Sequence, residues 1–184
     1  MNCIKTPGLL LQSIPYLGQK KIFKVLTPEH GLITFFTKKS PLVPFSIAEW
    51  VYRKSNTEMH PLQEATLLDP LLELRSDYTI LSAAGAIAQD LLKTQFPGKK
   101  APFALACAYL KRLPLNPLIL AASFRLKLLI CEGLLAEEID PTFSVAEWEL
   151  VKILGFARQF AQIQGLRDAP LRKIELLFEE RLHR

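Results

Sequence analysis

Cysteine is scarce in this 184-residue sequence, which contains only Cys3, Cys107 and Cys131. Three cysteines so far apart give no disulfide framework, and no two of them have the spacing of ligands in a four-cysteine zinc site. Their scarcity favours a reducing, cytosolic compartment. No apolar run reaches the length of about 18 residues that marks a membrane-spanning helix, so no such span is expected.

Residues that carry catalytic chemistry are scarce as well. The three histidines, His30, His60 and His183, are scattered along the chain, with no carboxylate or cysteine at ligand spacing. The eight glycines are isolated, so the sequence has no glycine-rich loop that would cradle phosphates. No nucleophile elbow occurs either. We therefore expect no metal ion, no cofactor and no enzymatic activity.

Positive charge, by contrast, is concentrated in the first third of the chain. The whole sequence has 23 Lys and Arg against 18 Asp and Glu, a formal net charge of +5. Residues 1–68 hold seven Lys and one Arg against four Glu, a net charge of +4. Such a surplus is typical of a surface that contacts phosphate groups or an acidic partner, the alternative being a contribution to solubility alone.

The first third also has the pattern of short strands. Apolar-rich runs occupy residues 9–14, 21–26, 32–38, 45–53 and 59–67. Thr27-Pro28-Glu29-His30-Gly31 predicts a turn, because proline presets one backbone dihedral and glycine lets the chain reverse. Pro61 lacks a ladder donor and predicts an edge or a break in the fifth strand. Five strands without an intervening helix predict a small, strongly bent sheet or barrel.

Alternation along the third run predicts which side chains face solvent. One face takes Ile33, Phe35 and Thr37, and the other takes Leu32, Thr34, Phe36 and Lys38. On the second run, Lys24 shares that outer face with Phe36 if its neighbours Phe23 and Val25 point inward.

From Asp69 onward the pattern is helical. Asp69-Pro70 has the form of a cap followed by proline in the first turn, and Ser144 with Glu147 has the spacing of a capping box. Pro97-Gly98-Lys99-Lys100 predicts a break between two helices. The sequence thus predicts an α+β fold, with a five-stranded barrel domain at residues 1–68 and an all-α helical domain at residues 69–184.

Basic and aromatic residues are interleaved in the first third, as on a surface where phosphates meet lysines and bases stack on rings. The candidate nucleic-acid-binding residues are Lys20, Lys21, Lys24, Phe36, Lys38, Lys39, Arg53 and Lys54. The alternatives are that Trp50 and Tyr52 belong to the core, that Phe36 packs on the helical part, and that the lysines form a solvated face.

Six short motifs follow one another in the first half of the chain. They are Gly8-Leu9-Leu10-Leu11-Gln12-Ser13, Thr27-Pro28-Glu29-His30-Gly31, Pro44-Phe45-Ser46, Glu58-Met59-His60-Pro61-Leu62-Gln63-Glu64-Ala65, Leu68-Asp69-Pro70 and Leu74-Arg75-Ser76-Asp77. This order resembles that of the bacterial recombination mediator family RecO over about the first 80 residues. The resemblance continues weakly through Ser123-Phe124-Arg125-Leu126-Lys127-Leu128-Leu129.

The resemblance implies an N-terminal OB-fold barrel, a helical C-terminal domain and a place in the bacterial cytoplasm, on the nucleoid. It implies binding to single- and double-stranded DNA and annealing of complementary strands. It also implies cooperation with RecR, and contact with the tail of the single-stranded DNA-binding protein on the way to loading RecA. An acidic tail needs basic residues at the rim of an apolar groove, and the candidates are Lys111, Arg112, Arg125 and Lys127.

The sequence departs from the family pattern at two places. Many members carry four zinc-binding cysteines after the helix that matches residues 118–135, where this chain has Cys131 alone, so we expect no zinc. The basic segment that usually follows the third strand is cut to Thr37-Lys38-Lys39-Ser40-Pro41. The shortened segment favours a second hypothesis, a divergent protein-binding adaptor of the same fold with little DNA affinity, whereas the charge of the first third disfavours it.

Overall fold

The computed structural model of the chain describes residues 3–94 and 100–182. Within them the chain forms two compact units, one made of residues 3–72 with 100–107 and the other of residues 73–94 with 108–182. His183 lies outside the described residues, as does all but the last residue of the predicted break at Pro97-Gly98-Lys99-Lys100.

The first unit contains a closed five-stranded barrel. Its strands are β1 (Cys3–Tyr16), β2 (Lys20–Thr27), β3 (Gly31–Thr37), β4 (Ile47–Arg53) and β5 (Met59–Asp69). Neighbours around the barrel follow the order β1-β2-β3-β5-β4, and β4 pairs with β1 to close it. All pairs are antiparallel except β3 with β5, which is parallel. This confirms the predicted fold class for the first part of the chain.

Aromatic side chains fill the interior of the barrel. Trp50 is fully buried and stacks on Phe35, with ring centroids 5.5 Å apart, and it meets Phe23 edge-on at 5.9 Å. Its indole Nε1 donates to the carbonyl oxygen of Gly8 at 3.0 Å. Gly8 has no room for a side chain, because a Cβ there would lie 2.6 Å from Cγ1 of Val25. The close approach of β1 to the core therefore depends on this glycine.

The alternation predicted for β3 is confirmed. Ile33, Phe35 and Thr37 are buried, and Leu32, Thr34 and Phe36 are partly exposed. The predicted turn before β3 also forms: Thr27 Oγ1 donates to the carbonyl oxygen of Gly31 at 2.9 Å, and Gly31 takes a positive φ of 65°. One buried face and one glycine thus suffice to determine this hairpin.

Three details of the strands differ from the prediction. β1 begins at Cys3, before the apolar run, because its first half pairs with β4 and its second half with β2. β4 begins at Ile47, since Phe45 takes a positive φ of 67° that ends the extended path. The expectation of an edge or break at Pro61 is wrong, because β5 runs through this residue. Pro61 is the last residue of β5 that pairs with β3, so the backbone N–H that proline lacks falls where that ladder ends.

The second unit is helical, and the helix α2 begins in the first unit and ends in the second. The described helices are α1 (Tyr78–Lys93), α2 (Lys100–Arg112), α3 (Pro117–Cys131), α4 (Val145–Phe156), α5 (Phe160–Gln164) and α6 (Leu171–Leu182). Two 3-10 turns cover Leu72–Arg75 and Leu113–Leu115. α3 packs against α1, α4 and α6 and is apolar on most sides, as expected of a central helix.

Helix caps determine where α1 and α4 begin. The capping box of α4 is confirmed, with Ser144 Oγ accepting from the Glu147 amide and the Glu147 carboxylate accepting from the Ser144 amide. The hydrogen bond from the Lys173 ammonium, followed by that from the Ser144 amide, lowers the pKa of Glu147 to about 2. The first helix starts later than Asp69-Pro70 predicts, because Asp77 caps it by accepting from the Thr79 amide at 2.7 Å.

Candidate nucleic-acid interface

The outer surface of β1, β2 and β3 forms one continuous face of the barrel. Because Phe23, Val25 and Phe35 point inward, their neighbours along each strand point outward. The strand register then sets these outward residues in rows: Tyr16 with Lys20, Ile14 with Ile22 and Phe36, and Gln12 with Lys24 and Thr34. We call these eight residues, with Gln12 at one end and Tyr16 at the other, the outer face.

An aromatic pair lies at one end of the outer face. The rings of Tyr16 and Phe36 meet edge-on with centroids 6.1 Å apart, and the Lys20 ammonium lies 5.9 Å from the centre of the Phe36 ring. Tyr16 is 46 % exposed and Phe36 is partly exposed. The barrel thus presents two rings and a cation to solvent, the combination on which an unpaired base stacks.

Four further lysines lie on β2 and in the segment that follows β3. Lys24 Nζ donates to Thr34 Oγ1 at 2.8 Å, and Lys21 Nζ donates to the Ser40 carbonyl at 3.0 Å. Lys38 and Lys39 are exposed directly after β3. Among the described residues, no acidic side chain forms a salt bridge with any of these four lysines or with Lys20. Their charge is therefore available to an external anion.

The remaining barrel candidates lie elsewhere. Arg53 is exposed at the end of β4, paired with Cys3 of β1, on a strand that forms no ladder with β2 or β3. Lys54 follows it and lines a cleft that Lys24 also lines. Trp50 and Tyr52 are buried in the barrel, so the core alternative holds for these two residues. The structure therefore brings Lys20, Lys24 and Phe36 onto one face and leaves Arg53 apart.

Tyr16 is the residue that sequence reasoning left out of the candidate set. It ends β1 and pairs with Lys20 across the three-residue turn of the hairpin. The sequence feature that could have identified Tyr16 is its position among the interleaved basic and aromatic residues of the first third. Its pairing with Phe36 depends on the register of three strands, which no local pattern shows.

The four basic candidates of the helical unit differ in what they contact. Arg125 Nε donates to Asp90 Oδ2 at 2.8 Å, and both side chains are nearly buried. Lys127 Nζ donates to the carbonyl oxygens of Gly155 and Ala157, at the end of α4, and burial lowers the pKa of Lys127. These contacts are internal to the helical unit and hold both side chains in place.

Lys111 and Arg112, by contrast, are exposed at the end of α2. The Arg112 guanidinium lies 4.4 Å from the centre of the Phe160 ring and donates to the Ala108 carbonyl at 3.2 Å. Of the four candidates, only Arg125 lines the groove described next.

An apolar groove of about 460 Å³ runs between α1, α3 and the start of α6. Ala83, Ala122 and Leu118 contribute to its floor and side, and Tyr78 at its rim is 83 % exposed. Arg125 and Arg172 bring positive charge to it; the Arg172 guanidinium contacts Glu175, which also lines the groove. An apolar channel edged by arginines suits a peptide with both apolar and acidic residues.

Neither a metal cluster nor a membrane-spanning helix is found in the described part of the chain. Across residues 3–94 and 101–182, no three side chains of His, Cys, Asp or Glu are grouped so that they could hold a metal ion. No helix within these ranges combines the length and the apolar character needed to cross a membrane.

Comparison with known proteins gives the chain its relatives. No family model matches the sequence. A DNA repair protein RecO from Chlamydia trachomatis serovar D is 27% identical, with 95% of this chain and 90% of the relative covered. The protein of the same name from Chlamydia pneumoniae is 31% identical over 78% of this chain and 61% of its own length. That from Chlamydia muridarum is 26% identical over 94% of this chain and 93% of its own length.

These similarities extend well past the N-terminal motifs and cover the helical part of the chain. They agree with the order of the two parts, a closed barrel followed by helices. Their shared name supports a role of this chain in DNA repair and recombination. Over most of its length the chain is therefore similar to curated DNA repair proteins named RecO, and these similarities support its identification as a divergent RecO.

Proposed function

We propose that this protein is a non-enzymatic recombination mediator that binds single- and double-stranded DNA through its barrel. The observation that carries the proposal is the exposed Tyr16–Phe36 pair, set beside lysines that have no acidic partner among the described residues. OB-type barrels use the face of their second and third strands to bind oligonucleotides. Here that face carries Lys20, Lys24 and Phe36.

Each part of the outer face has a role in this proposal. The lysines neutralise phosphates and release counterions, which supplies affinity without regard to sequence. The Tyr16 and Phe36 rings stack on bases, which orders a single strand with its bases turned toward the protein. Stacking uses the faces of the bases and not their hydrogen-bonding edges, so this arrangement supports annealing of a complementary strand.

The second hypothesis, a protein-binding adaptor with little DNA affinity, rests on the shortness of the segment after β3. Only Lys38 and Lys39 supply charge there. It is opposed by Lys20 and Lys24, which stand on the outer face itself. Binding of single-stranded oligonucleotides at increasing salt separates the two: a mediator binds with an affinity that falls steeply with salt, and an adaptor does not bind.

We further propose that the helical unit receives the C-terminal tail of the single-stranded DNA-binding protein, and that the protein works with RecR to load RecA onto DNA coated by that protein. The groove between α1 and α3 supports the tail contact, because its apolar floor and its arginines match a tail that is acidic and ends in apolar side chains. The ion pair of Arg125 with Asp90 uses one of the five N–H donors of the guanidinium.

The tail peptide is expected to bind in the micromolar range, about −7 to −8 kcal/mol, as measured by calorimetry. Replacing Arg172 by Glu reverses a charge at the rim and is expected to weaken binding by about tenfold, since a charge-assisted hydrogen bond contributes roughly 1.5–3 kcal/mol. Arg172 is 76% exposed, so the fold tolerates the change.

Arg158→Glu is the matched control, because Arg158 is an exposed arginine of the helical unit outside the groove. It makes the same change in net charge and is expected to leave peptide affinity within about twofold of the parent. Absence of binding at high peptide concentration, or equal weakening by both variants, would remove the groove as the docking site.

A further inference from the structure

A cleft of about 500 Å³ opens in the barrel near the start of β3, distinct from the aromatic pair. Leu32 and Thr34 line it, and Phe36 lies about 13 Å from Leu32 along the strand at roughly 3.3 Å per residue. The cleft reaches from β1, where Ile4 lines it, to the residues that join β4 and β5. Its volume falls in the range of about 300–1,000 Å³ that small-molecule sites occupy.

The charged side chains that line this cleft are mostly basic. Lys24 and Lys54 line it together with His30 and His60, and Glu58 is its one acidic residue. Lys24 Nζ is held at 2.8 Å by Thr34 Oγ1, another lining residue. No salt bridge joins either lysine to an acid in the part of the chain that the structure describes. The cleft therefore has a surplus of donors and of positive charge.

The segment between β4 and β5 is held in place by His60. The Ser55 amide donates to His60 Nδ1 at 3.2 Å, and the His60 ring stacks on Tyr52 with centroids 5.4 Å apart. Thr57 adds two hydrogen bonds to this segment: its amide donates to Ser55 Oγ, and its hydroxyl donates to the Met59 carbonyl. These bonds order the backbone next to Lys54, and an ordered backbone lowers the entropic cost of binding.

The same contacts determine the protonation state of His60. Burial lowers the pKa of His60, and the neighbouring Lys54 ammonium lowers it further, so the ring is neutral at pH 7. Because Nδ1 accepts from the Ser55 amide, the neutral ring carries its proton on Nε2. His60 consequently adds a fixed N–H donor to the charges of the two lysines.

We propose that this cleft binds a terminal phosphate of a DNA strand, a phosphomonoester, while the outer face holds the nucleotides beyond it. A monoester carries a charge of about −1.5 to −2 and three strong acceptor oxygens, against a single charge for a phosphate inside the strand. Two lysines and a histidine donor match the monoester better. The inference rests on the proposed DNA binding, since the outer face must hold the strand whose terminal phosphate lies in the cleft.

The test compares oligonucleotides of about 12 nucleotides that carry a 5′-phosphate, a 3′-phosphate or hydroxyls at both ends. Fluorescence anisotropy is expected to show about tenfold tighter binding to one of the phosphorylated forms. Lys54→Ala is expected to bring the ratio of the dissociation constants for the hydroxyl form and the preferred phosphorylated form close to one. Lys20→Ala removes an equal charge outside the cleft and is expected to weaken both forms alike, leaving the ratio unchanged.

Three outcomes would overturn the inference. Equal affinity for phosphorylated and hydroxyl ends would remove it while leaving the proposed DNA binding intact. A preference that survives Lys54→Ala would place the phosphate elsewhere. A nucleoside monophosphate that binds as tightly as the phosphorylated oligonucleotide would show that the cleft takes free nucleotides rather than DNA ends. Failure of every oligonucleotide to bind at low salt would instead contradict the proposed function.

Discussion

Replacing Trp50 by alanine is expected to lower the free energy of unfolding by about 3–5 kcal/mol, the usual cost of removing a large aromatic side chain from a core. Trp50 is completely buried between Phe23 and Phe35, so its loss leaves a cavity at the centre of the barrel. The change also leaves the Gly8 carbonyl without the indole donor at 3.0 Å. Urea titration followed by circular dichroism measures the effect.

Phe36→Ala is the matched comparison on the same barrel. Phe36 is partly exposed on the outer face, so its truncation creates no enclosed cavity and its effect on stability is expected to stay near 1 kcal/mol. DNA binding should instead weaken by about 1–3 kcal/mol if a base stacks on the ring, with little change in salt dependence. A loss of stability as large as that of Trp50→Ala would show that Phe36 is a core residue and not a stacking surface.

Replacing Asp90 by alanine is expected to cost about 3–5 kcal/mol of stability, because it leaves the Arg125 charge unpaired in a nearly buried site. The exposed fractions are 3% for the Asp90 side chain and 16% for Arg125, and their Oδ2 and Nε atoms are 2.8 Å apart. Urea titration followed by the helical circular dichroism signal measures the effect, since most of the described helical residues belong to this unit.

The double variant Asp90→Ala with Arg125→Met removes both charges and so separates the effect of an unpaired charge from the effect of losing the ion pair. Burial raises the pKa of Asp90, and the Arg125 guanidinium opposes that shift. Replacing both charges by apolar groups is therefore expected to recover most of the lost stability. A double variant as unstable as Asp90→Ala alone would mean that the arginine contributes through packing and not through its charge.

The barrel was predictable from the sequence where one face of a strand is buried. The alternation of β3 and the inward direction of Phe23 and Val25 follow from a period of two, because a shift of one residue would expose the whole apolar set. The closed topology was less accessible: β1 serves two neighbours, and its first half carries no apolar run to mark it as a strand. That half of β1 is a strand because it pairs with β4, and not because of an apolar pattern in its own sequence.

The sites were harder to predict than the fold. The cleft joins Ile4, Lys24 and Lys54, which are distant in sequence and meet only when the barrel closes. In the helical unit, the sequence makes Arg125 and Lys127 candidates for binding a peptide, yet their partners within the fold lie 35 and about 30 residues away. A sequence shows that a residue is charged, whereas the fold determines which acceptor it faces.

The central claim is that the barrel binds the phosphates of DNA. The most direct test is to measure the affinity for a single-stranded oligonucleotide at several salt concentrations. Four or five phosphate contacts predict a slope of about −3 for the logarithm of the binding constant against the logarithm of salt concentration, at about −0.7 per contact. Replacing Lys38 and Lys39 together by alanine removes up to two contacts and should flatten the slope by about 1.4 at most.

Arg158→Ala with Arg167→Ala is the control for that variant, since it removes two exposed charges from the helical unit instead. The proposed function predicts a steep salt dependence in the parent, a weaker one in the lysine variant and an unchanged one in the control. Binding by the lysine variant as tight as that of the parent, with the same slope, would contradict the claim that the segment after β3 contacts DNA, and absence of binding at low salt would contradict the proposal as a whole.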